Sequence, residues 1–534
     1  MADIKLLDCT LRDGGYLNDW EFGNDNIINI FERLVSAQID IIETGFINDS
    51  CEYDINKSIF PDTKSVDATY GQLSKGNSIT VGMIDFGTCS IENVSDKSDS
   101  WLDGIRVIFK KQKMHEAIDF CTKIKAKGYK TFVQAVSITS YSDEELNELI
   151  DLVNELEPYA FSLVDTYGLL HRGKLRHYFD CACTHLKPSI GIGYHAHNNF
   201  QLAYANCVEL IENPPVDRRL IVDGTLYGMG KSAGNTPIEL LVMYMNQFRK
   251  TSYQNSQLLE AIDTAMLDIR RKVSWGYDFK FFLSASHDCH PNYVNFLMDM
   301  KKLSVKSISE ILDMIPGEKK LLYDPLLIRE LYFDYQNNVC DDVDSIKRLK
   351  SELKGKKILL LGPGKNVYNQ RERVEKCIGL HKPVVMAINF IPTDYEVDYV
   401  FMSNAKRYVQ LSAALMNQRK KSSLIATSNI TGTNDEFDYT LNYSAFLREG
   451  ALMPDNPMIM LLKLLKECDA DTVMLAGFDG YRETSVPNYV NPNMEYSMSS
   501  ELAERINEDA KNGIKELGLS DKVVFVTDSL YNRK

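Results

Sequence analysis

The chain has 534 residues, 44% of them hydrophobic and 25% charged, enough for two or three domains with cores of their own. A formal charge of −14 argues against general nucleic-acid binding, which draws on an excess of lysine and arginine. No apolar run approaches the ~20 residues of a membrane-spanning helix. The N-terminal MADIKLLDCT lacks the order of a signal peptide, and eleven scattered cysteines suit reduced thiols, so a cytoplasmic protein is expected.

From residue 1 to about 250, short apolar runs alternate with amphipathic stretches. The runs predict strands at 4–7, 39–43, 79–84, 105–109, 131–136, 160–164, 190–195 and 220–222. Helices are expected between them, most clearly at 26–37 and 143–156, the latter opened by Ser142 as N-cap and an acidic first turn. Eight strands with crossover helices predict a (β/α)8 TIM barrel. A doubly wound open sheet is the alternative, but no Gly-rich phosphate loop follows the first strand. Residues 251–345 read as a helical appendage and linker. A second α/β pattern occupies 346–534, with strands at 357–361, 383–389, 399–402, 424–427, 472–476 and 523–526 and helices at 458–468 and 501–517. It reads as a Rossmann-like α/β domain with a mostly parallel sheet.

Two strings follow apolar runs at barrel strand ends, where barrel active sites lie. They are Asp8-Cys9-Thr10-Leu11-Arg12-Asp13-Gly14-Gly15 and His195-Ala196-His197-Asn198-Asn199. Residues two apart on a strand share a face, so His195 and His197 can reach one ion. Asp8, ending the first strand, is expected to meet them in the closed ring. Two imidazoles and a carboxylate leave positions open on Mn²⁺, Mg²⁺, Co²⁺ or Zn²⁺, and residue types alone do not decide among them. A 2-oxo acid would fill those positions through its carbonyl and carboxylate oxygens. Arg12 suits a developing enolate oxygen or the carboxylate. Glu43, Gln134, Asp165 and Asp223 also fall at strand ends, and Glu43 reads equally as support for the ion or as a partner of Arg106. His287, His290 and Tyr293 read first as packing residues. Cys181-x-Cys183 with His185 lies on a predicted helix and reads as structural.

The first string resembles the signature of the DRE-TIM metallolyases, also called the HMG-CoA-lyase-like superfamily. The His195-Ala196-His197-Asn198 string resembles that family's second metal motif. Asp223-Gly224-Thr225 followed by Gly228-Met229-Gly230-Lys231-Ser232-Ala233-Gly234-Asn235 resembles its motif after the eighth strand. Residues 251–330 are similar to the helical part of 4-hydroxy-2-oxovalerate aldolases. The resemblance implies a divalent metal on Asp8, His195 and His197. It also implies Arg12 at the pyruvate-enolate portion, and Asn235 near the metal as in some relatives; Arg12, Asp13, Glu43, Gln134 and Asn235 are the expected substrate-binding residues. HMG-CoA lyases carry a cysteine in the Gly-rich loop, where this chain has Gly230-Lys231-Ser232-Ala233. Isopropylmalate-synthase-like enzymes show Asp-Gly-Glu-Gln where this chain has Asp13-Gly14-Gly15-Tyr16, and pyruvate aldolases place a histidine base at Tyr16. Either Tyr16 or water then moves the proton, and Tyr16 reads equally as a packed rim aromatic.

The expected activity is a metal-dependent carbon–carbon lyase of the pyruvate-aldolase type, acting on a 2-oxo acid and an aldehyde, in a homo-oligomer. Acyl-CoA condensation and a non-catalytic barrel scaffold are the alternatives. In the second domain, Gly362-Pro363-Gly364-Lys365 could form an anion-binding turn, and Gly477-Phe478-Asp479-Gly480-Tyr481 follows a strand. These residues faintly resemble small sialyltransferase-like domains. Nucleotide or nucleotide-sugar binding and a purely structural role fit them equally. The former would make the protein bifunctional, with a place in cell-surface sugar synthesis.

Overall fold

Eight parallel strands close on themselves in the N-terminal half. The structure is a computed structural model and describes residues 3–430, 437–483, 488–491 and 498–532. The chain divides into two compact units, Met1–Pro291 and Asn292–Lys534. In the first, the strands are β1 (Ile4–Asp8), β2 (Ile41–Ile47), β3 (Ile59–Phe60), β4 (Ile79–Asp85), β5 (Gly104–Phe109), β6 (Lys130–Ala135), β7 (Ala160–Asp165), β8 (Gly191–Ala196) and β9 (Leu220–Gly224). They run in the order β1-β9-β8-β7-β6-β5-β4-β2, and a β1–β2 pairing closes the ring. This is a TIM barrel, as the strand count predicts. The two-residue β3 beside β2 is too short to leave a periodicity, and the sequence does not announce it.

Strand parity decides what each residue meets. Leu7, Ile41, Val81, Phe132, Ala160 and Ile221 fill the barrel floor. Leu6, Ile42, Ile105, Val133, Ile192 and Val222 face outward against the helices. One step further along the same inward faces the residues turn polar: Glu43, Arg106, Gln134, Ser162, His195 and Asp223, all buried. The helix Asp143–Leu156 begins with a capping box of Ser142 and Glu145. β2 bulges between Glu43 and Phe46. Gly45 there has φ 153°, and a Cβ would stand 2.1 Å from the Ser58 carbonyl oxygen, so only glycine fits.

The second unit opens with helices Val305–Asp313, Pro325–Gln336 and Val343–Leu353. Its sheet follows, with β10 (Lys357–Leu361), β11 (Val384–Ile388), β12 (Tyr399–Met402), β13 (Ser423–Thr427), β14 (Tyr439–Leu441), β15 (Thr472–Ala476) and β16 (Val523–Phe525). All pairs are parallel, in the order β14-β13-β12-β11-β10-β15-β16. Ile358 and Leu360 pack into one core and Leu359 and Leu361 into another, so both sheet faces are covered. Among the described residues no helix is long and apolar enough to cross a membrane.

Candidate active site

After β1 the chain makes one helical turn, Thr10–Asp13, with the Asp13 N–H on the Cys9 carbonyl at 2.8 Å. Asp8 shares the outward face of Leu6, and both its oxygens accept from Thr10: Oδ1 from the N–H at 2.9 Å, Oδ2 from the hydroxyl at 2.8 Å. The Thr10 hydroxyl in turn accepts the Leu226 N–H at 2.8 Å. Asp8 therefore fastens the turn. The carboxylate that meets the histidines is Asp13, five residues on, because the helical turn carries it back over the barrel mouth. This corrects the expectation of Asp8 at the ion. The alternation of Leu7 and Cys9 inward against Asp8 outward was the available signal.

Both imidazoles point one nitrogen at Asp13. Nε2 of His195 lies 3.0 Å and Nε2 of His197 3.7 Å from Asp13 Oδ2. Each Nδ1 faces an acceptor: Asp223 Oδ2 at 3.0 Å for His195, the Lys231 carbonyl at 3.1 Å for His197. An Nδ1–H serves each contact, which leaves a lone pair on each Nε2. Cys9 sits on the other side of His195, its Sγ 3.9 Å from Nδ1, and burial holds its thiol protonated. Cys9, Asp13 and His195 together form a group close enough to hold an ion. The lone-pair geometry favours His197 over the thiol as the third donor.

Below this triad the ion pairs form a closed circuit. Arg12 Nε donates to Glu43 Oε2 at 2.7 Å, and its Nη1 lies 3.2 Å from Asp13 Oδ2. Glu43 Oε1 lies 3.1 Å from Arg106 Nη1, and Arg106 Nη2 donates to Asp223 and, at 2.9 Å, to Gln134 Oε1. Asp223 holds His195, which returns to Asp13. Three carboxylates (Asp13, Glu43, Asp223) against two guanidiniums (Arg12, Arg106) leave one negative charge in excess when the imidazoles are neutral. Asp13 Oδ2 takes no hydrogen bond among the described residues, nor does Asn235 Oδ1. Buried lone pairs of imidazole and carboxylate facing one point suit a cation, so the donor set fits a metal ion, with Lys231 the next positive charge near Asp13. Burial lowers His195, but Asp13 and Asp223 outweigh it and raise its pKa above the ordinary value. Burial also opposes ionisation of Asp13, yet Arg12 and the two imidazoles hold it well below the usual carboxylate range.

Of the other expected residues, Glu43 and Gln134 are committed to arginines and Ser162, the Gln134 amide donating to Ser162 at 3.0 Å. They hold Arg12 and Arg106, Glu43 through Oε2 to Arg12 and Oε1 near Arg106, and Gln134 through Oε1 to Arg106. Asn235 is buried, its Nδ2 on the Met229 carbonyl at 3.3 Å. Gly230 passes so close that a Cβ would stand 2.3 Å from that Nδ2, and the Lys231 N–H donates to Asp13 Oδ1 at 3.3 Å. Tyr16 stands at the rim, 41% exposed and edge-on to Trp20 at 5.0 Å. Burial of the phenol, partly offset by Arg12, pushes it up to about 12. Lys231, which the sequence marked only as a non-cysteine, places Nζ 5.4 Å from the Tyr16 ring, with its pKa lowered by burial. His290 meets Tyr167 edge-on at 5.9 Å, while the Tyr293 hydroxyl is spent on the Lys319 and Leu322 carbonyls. Cys181 and His185 lie on helix Arg172–His185, with Sγ 3.7 Å from Nδ1.

In the second unit the Gly362–Lys365 turn is not an anion cradle. The N–H groups of Gly362, Gly364 and Lys365 donate to the carbonyls of Ala476, Gly477 and Asn488, and that of Asn366 to Asp479 Oδ2 at 2.9 Å. The turn binds the loop after β15 instead.

A family model described as HMGL-like matches residues 3–266. The chain is similar to an oxaloacetate decarboxylase of Mycobacterium tuberculosis, 25% identical over 276 residues that make up 51% of this chain and 79% of that protein. It is similar to a 4-hydroxy-2-oxovalerate aldolase of Geobacillus thermodenitrificans, 23% identical over 282 residues, again 51% of this chain and 79% of the relative. Among solved structures, the HMG-CoA lyase of Bacillus subtilis is 16% identical with a TM-score of 0.41, covering 52% of this chain and 94% of its own.

Proposed function

We propose, on the premise that the N-terminal barrel belongs to the HMGL-like family, that this protein is a divalent-metal-dependent lyase acting on a carbon–carbon bond of a pyruvate-derived 2-oxo acid. The observation that carries it is the convergence of His195 Nε2, His197 Nε2 and Asp13 Oδ2, each nitrogen oriented by an acceptor behind it. Asp13, His195 and His197 would hold the ion, with Mn²⁺ and Mg²⁺ the first choices. Bound there, it would supply Lewis acidity toward the paired oxygens of a 2-oxo acid. Arg12 is clamped by Glu43 and Asp13 through Nε and Nη1, which leaves Nη2 for the enolate oxygen or the carboxylate. Asn235 Oδ1, buried and without a donor, suits a substrate hydroxyl.

Tyr16 stays protonated at neutral pH, so it serves as a donor to the enolate carbon rather than as a base. That favours, as a second reading, decarboxylation of a 2-oxo diacid. Its carbon–carbon bond breaks without removal of a hydroxyl proton, whereas aldol cleavage needs a base, and Lys231, its pKa lowered by burial, stands 5.4 Å from the Tyr16 ring. The test offers the full-length protein oxaloacetate and 4-hydroxy-2-oxopentanoate and reads pyruvate release. Turnover should stop on chelation and return with Mn²⁺ or Mg²⁺, and Asp13→Ala should lose on the order of 10³-fold or more. Unchanged turnover in metal-stripped protein and in Asp13→Ala would sink the proposal.

A further inference from the structure

In the second unit a cleft opens at the carboxyl ends of β12, β11, β10 and β15. Strand order reverses between β10 and β15, and that reversal is where open α/β sheets make room for ligands. Two helices of ordinary length begin at its wall, Ala405–Gln418 after β12 and Pro457–Glu467 before β15. Their N-caps are Asn404 and Asn456, only 4% and 6% exposed. Asn404 Oδ1 accepts from the Arg407 N–H at 3.0 Å, and Asn456 Oδ1 from the N–H groups of Met458 and Ile459 at 3.0 and 3.4 Å. Each cap thereby turns its oxygen to its own helix. Each amide Nδ2 is left without an acceptor among the described residues, on the wall of the same cavity. The buried side chain of Arg407 lines it too. The start of the second helix is held in place by Asp455, which pairs with Lys302 and accepts from Tyr332 and Tyr443 at 3.1 and 3.0 Å.

Two positive helix ends, two amide donors and a guanidinium converging on one space are anion-binding chemistry. The opposite part of the lining is different. Phe478 and Tyr481 supply aromatic surface, and Asp479 Oδ1 is buried with no donor. A phosphate alone would leave that oxygen unpaired. A ligand with an anion at one end and a hydroxyl-bearing ring system at the other would satisfy both.

We propose that this cavity is a ribonucleoside phosphate site. The phosphate lies against Arg407 and the Asn404 and Asn456 amides, the sugar hydroxyls donate to Asp479, and the base lies on the aromatic side. Pro363 and Gly364 of the Gly362–Lys365 turn line the same cleft, but the N–H groups of that turn are already spent on carbonyls. It stands independently of the barrel's chemistry. Burial pushes the Asp479 carboxyl up to about 6, as expected of an acceptor that lacks its donor.

The test is calorimetric titration of the full-length protein with the common ribonucleoside mono- and diphosphates, 2′,3′-dideoxy analogues and inorganic phosphate. At least one ribonucleotide should bind one-to-one, at least tenfold tighter than its dideoxy analogue and than phosphate. Asn456→Asp keeps an equally good helix cap while replacing the donor by a negative oxygen, so folding should persist and affinity should fall at least tenfold. Arg407→Gln should do the same, and Asp479→Asn should erase the preference for the ribose form. No saturable binding by any nucleotide, phosphate bound as tightly as nucleotide, or full affinity in a folded Asn456→Asp protein would each overturn the proposal.

Discussion

The barrel mouth and the sheet cavity ask for ligands of opposite sign. In the barrel, ring closure stacks three carboxylates and two guanidiniums into one buried circuit, with imidazole and carboxylate lone pairs at its top. The circuit is short of positive charge and calls for a cation. In the sheet, the converging groups are helix N-termini, amide Nδ2 atoms and one arginine, and they call for an anion. The lesson lies in how polarity is buried. Formal charges survive inside the barrel because oppositely charged side chains face one another there, whereas the sheet mouth adds the partial charges of helix ends and amides to one arginine, whose Nη1 donates to Gln410 Oε1 at 2.9 Å.

The comparison breaks most visibly if the circuit is cut. Arg106→Leu leaves Glu43 and Asp223 buried without their shared cation, which should cost about 3–5 kcal/mol in urea unfolding of the barrel. A loss below 1 kcal/mol would mean that the circuit is not what allows those charges to be buried. A smaller effect should follow Asp223→Asn, which keeps an oxygen behind His195 but removes its charge. Metal affinity should weaken roughly 10–100-fold, as measured by competition with a chelating dye, with nucleotide titration of the second unit unchanged. The smallest effect sharpens the assignment of Asp13. Asp8→Asn should leave metal content and turnover within about twofold, because Asp8 serves Thr10 and the turn.

Asp8 also carries a pH signature. Burial, only partly offset by its bonds from Thr10, pushes its carboxyl from 3.8 to about 7. The folded chain then binds a proton that the unfolded chain releases, so its contribution to stability is full below about pH 4 and is lost as pH rises through 7. Asp8→Asn should flatten that slope between pH 5 and pH 8 in denaturant titrations. An unchanged slope would place the titrating group elsewhere.

Much of this was legible in the chain. The expected barrel strands overlap those found, with the second shifted from 39–43 to Ile41–Ile47, and Lys357–Leu361 and Thr472–Ala476 of the second sheet lie where apolar runs placed them, because parallel strands buried on both faces are apolar throughout. His195 and His197 were readable as a pair by their spacing. Asp13 was not read as their partner, because a strand's two-residue alternation stops at Asp8 and a helical turn takes over at Thr10. Glu43 is readable from the sequence as a partner of Arg106, and the structure places them 3.1 Å apart, whereas only the neighbours on adjacent strands show Arg12 on its other oxygen and Arg106 on Gln134.

By itself, then, the order of residues determined where strands and helices form and which side chains reach the strand ends, since periodicity and capping act over a few residues. Only the tertiary structure decided which ends meet. Closing the ring brings Asp13 over His195 from 182 positions away in the chain, and reversing strand order beside β10 leaves the cavity between Arg407 and Asp479. Those pairings depend on distances through space, which no local pattern encodes.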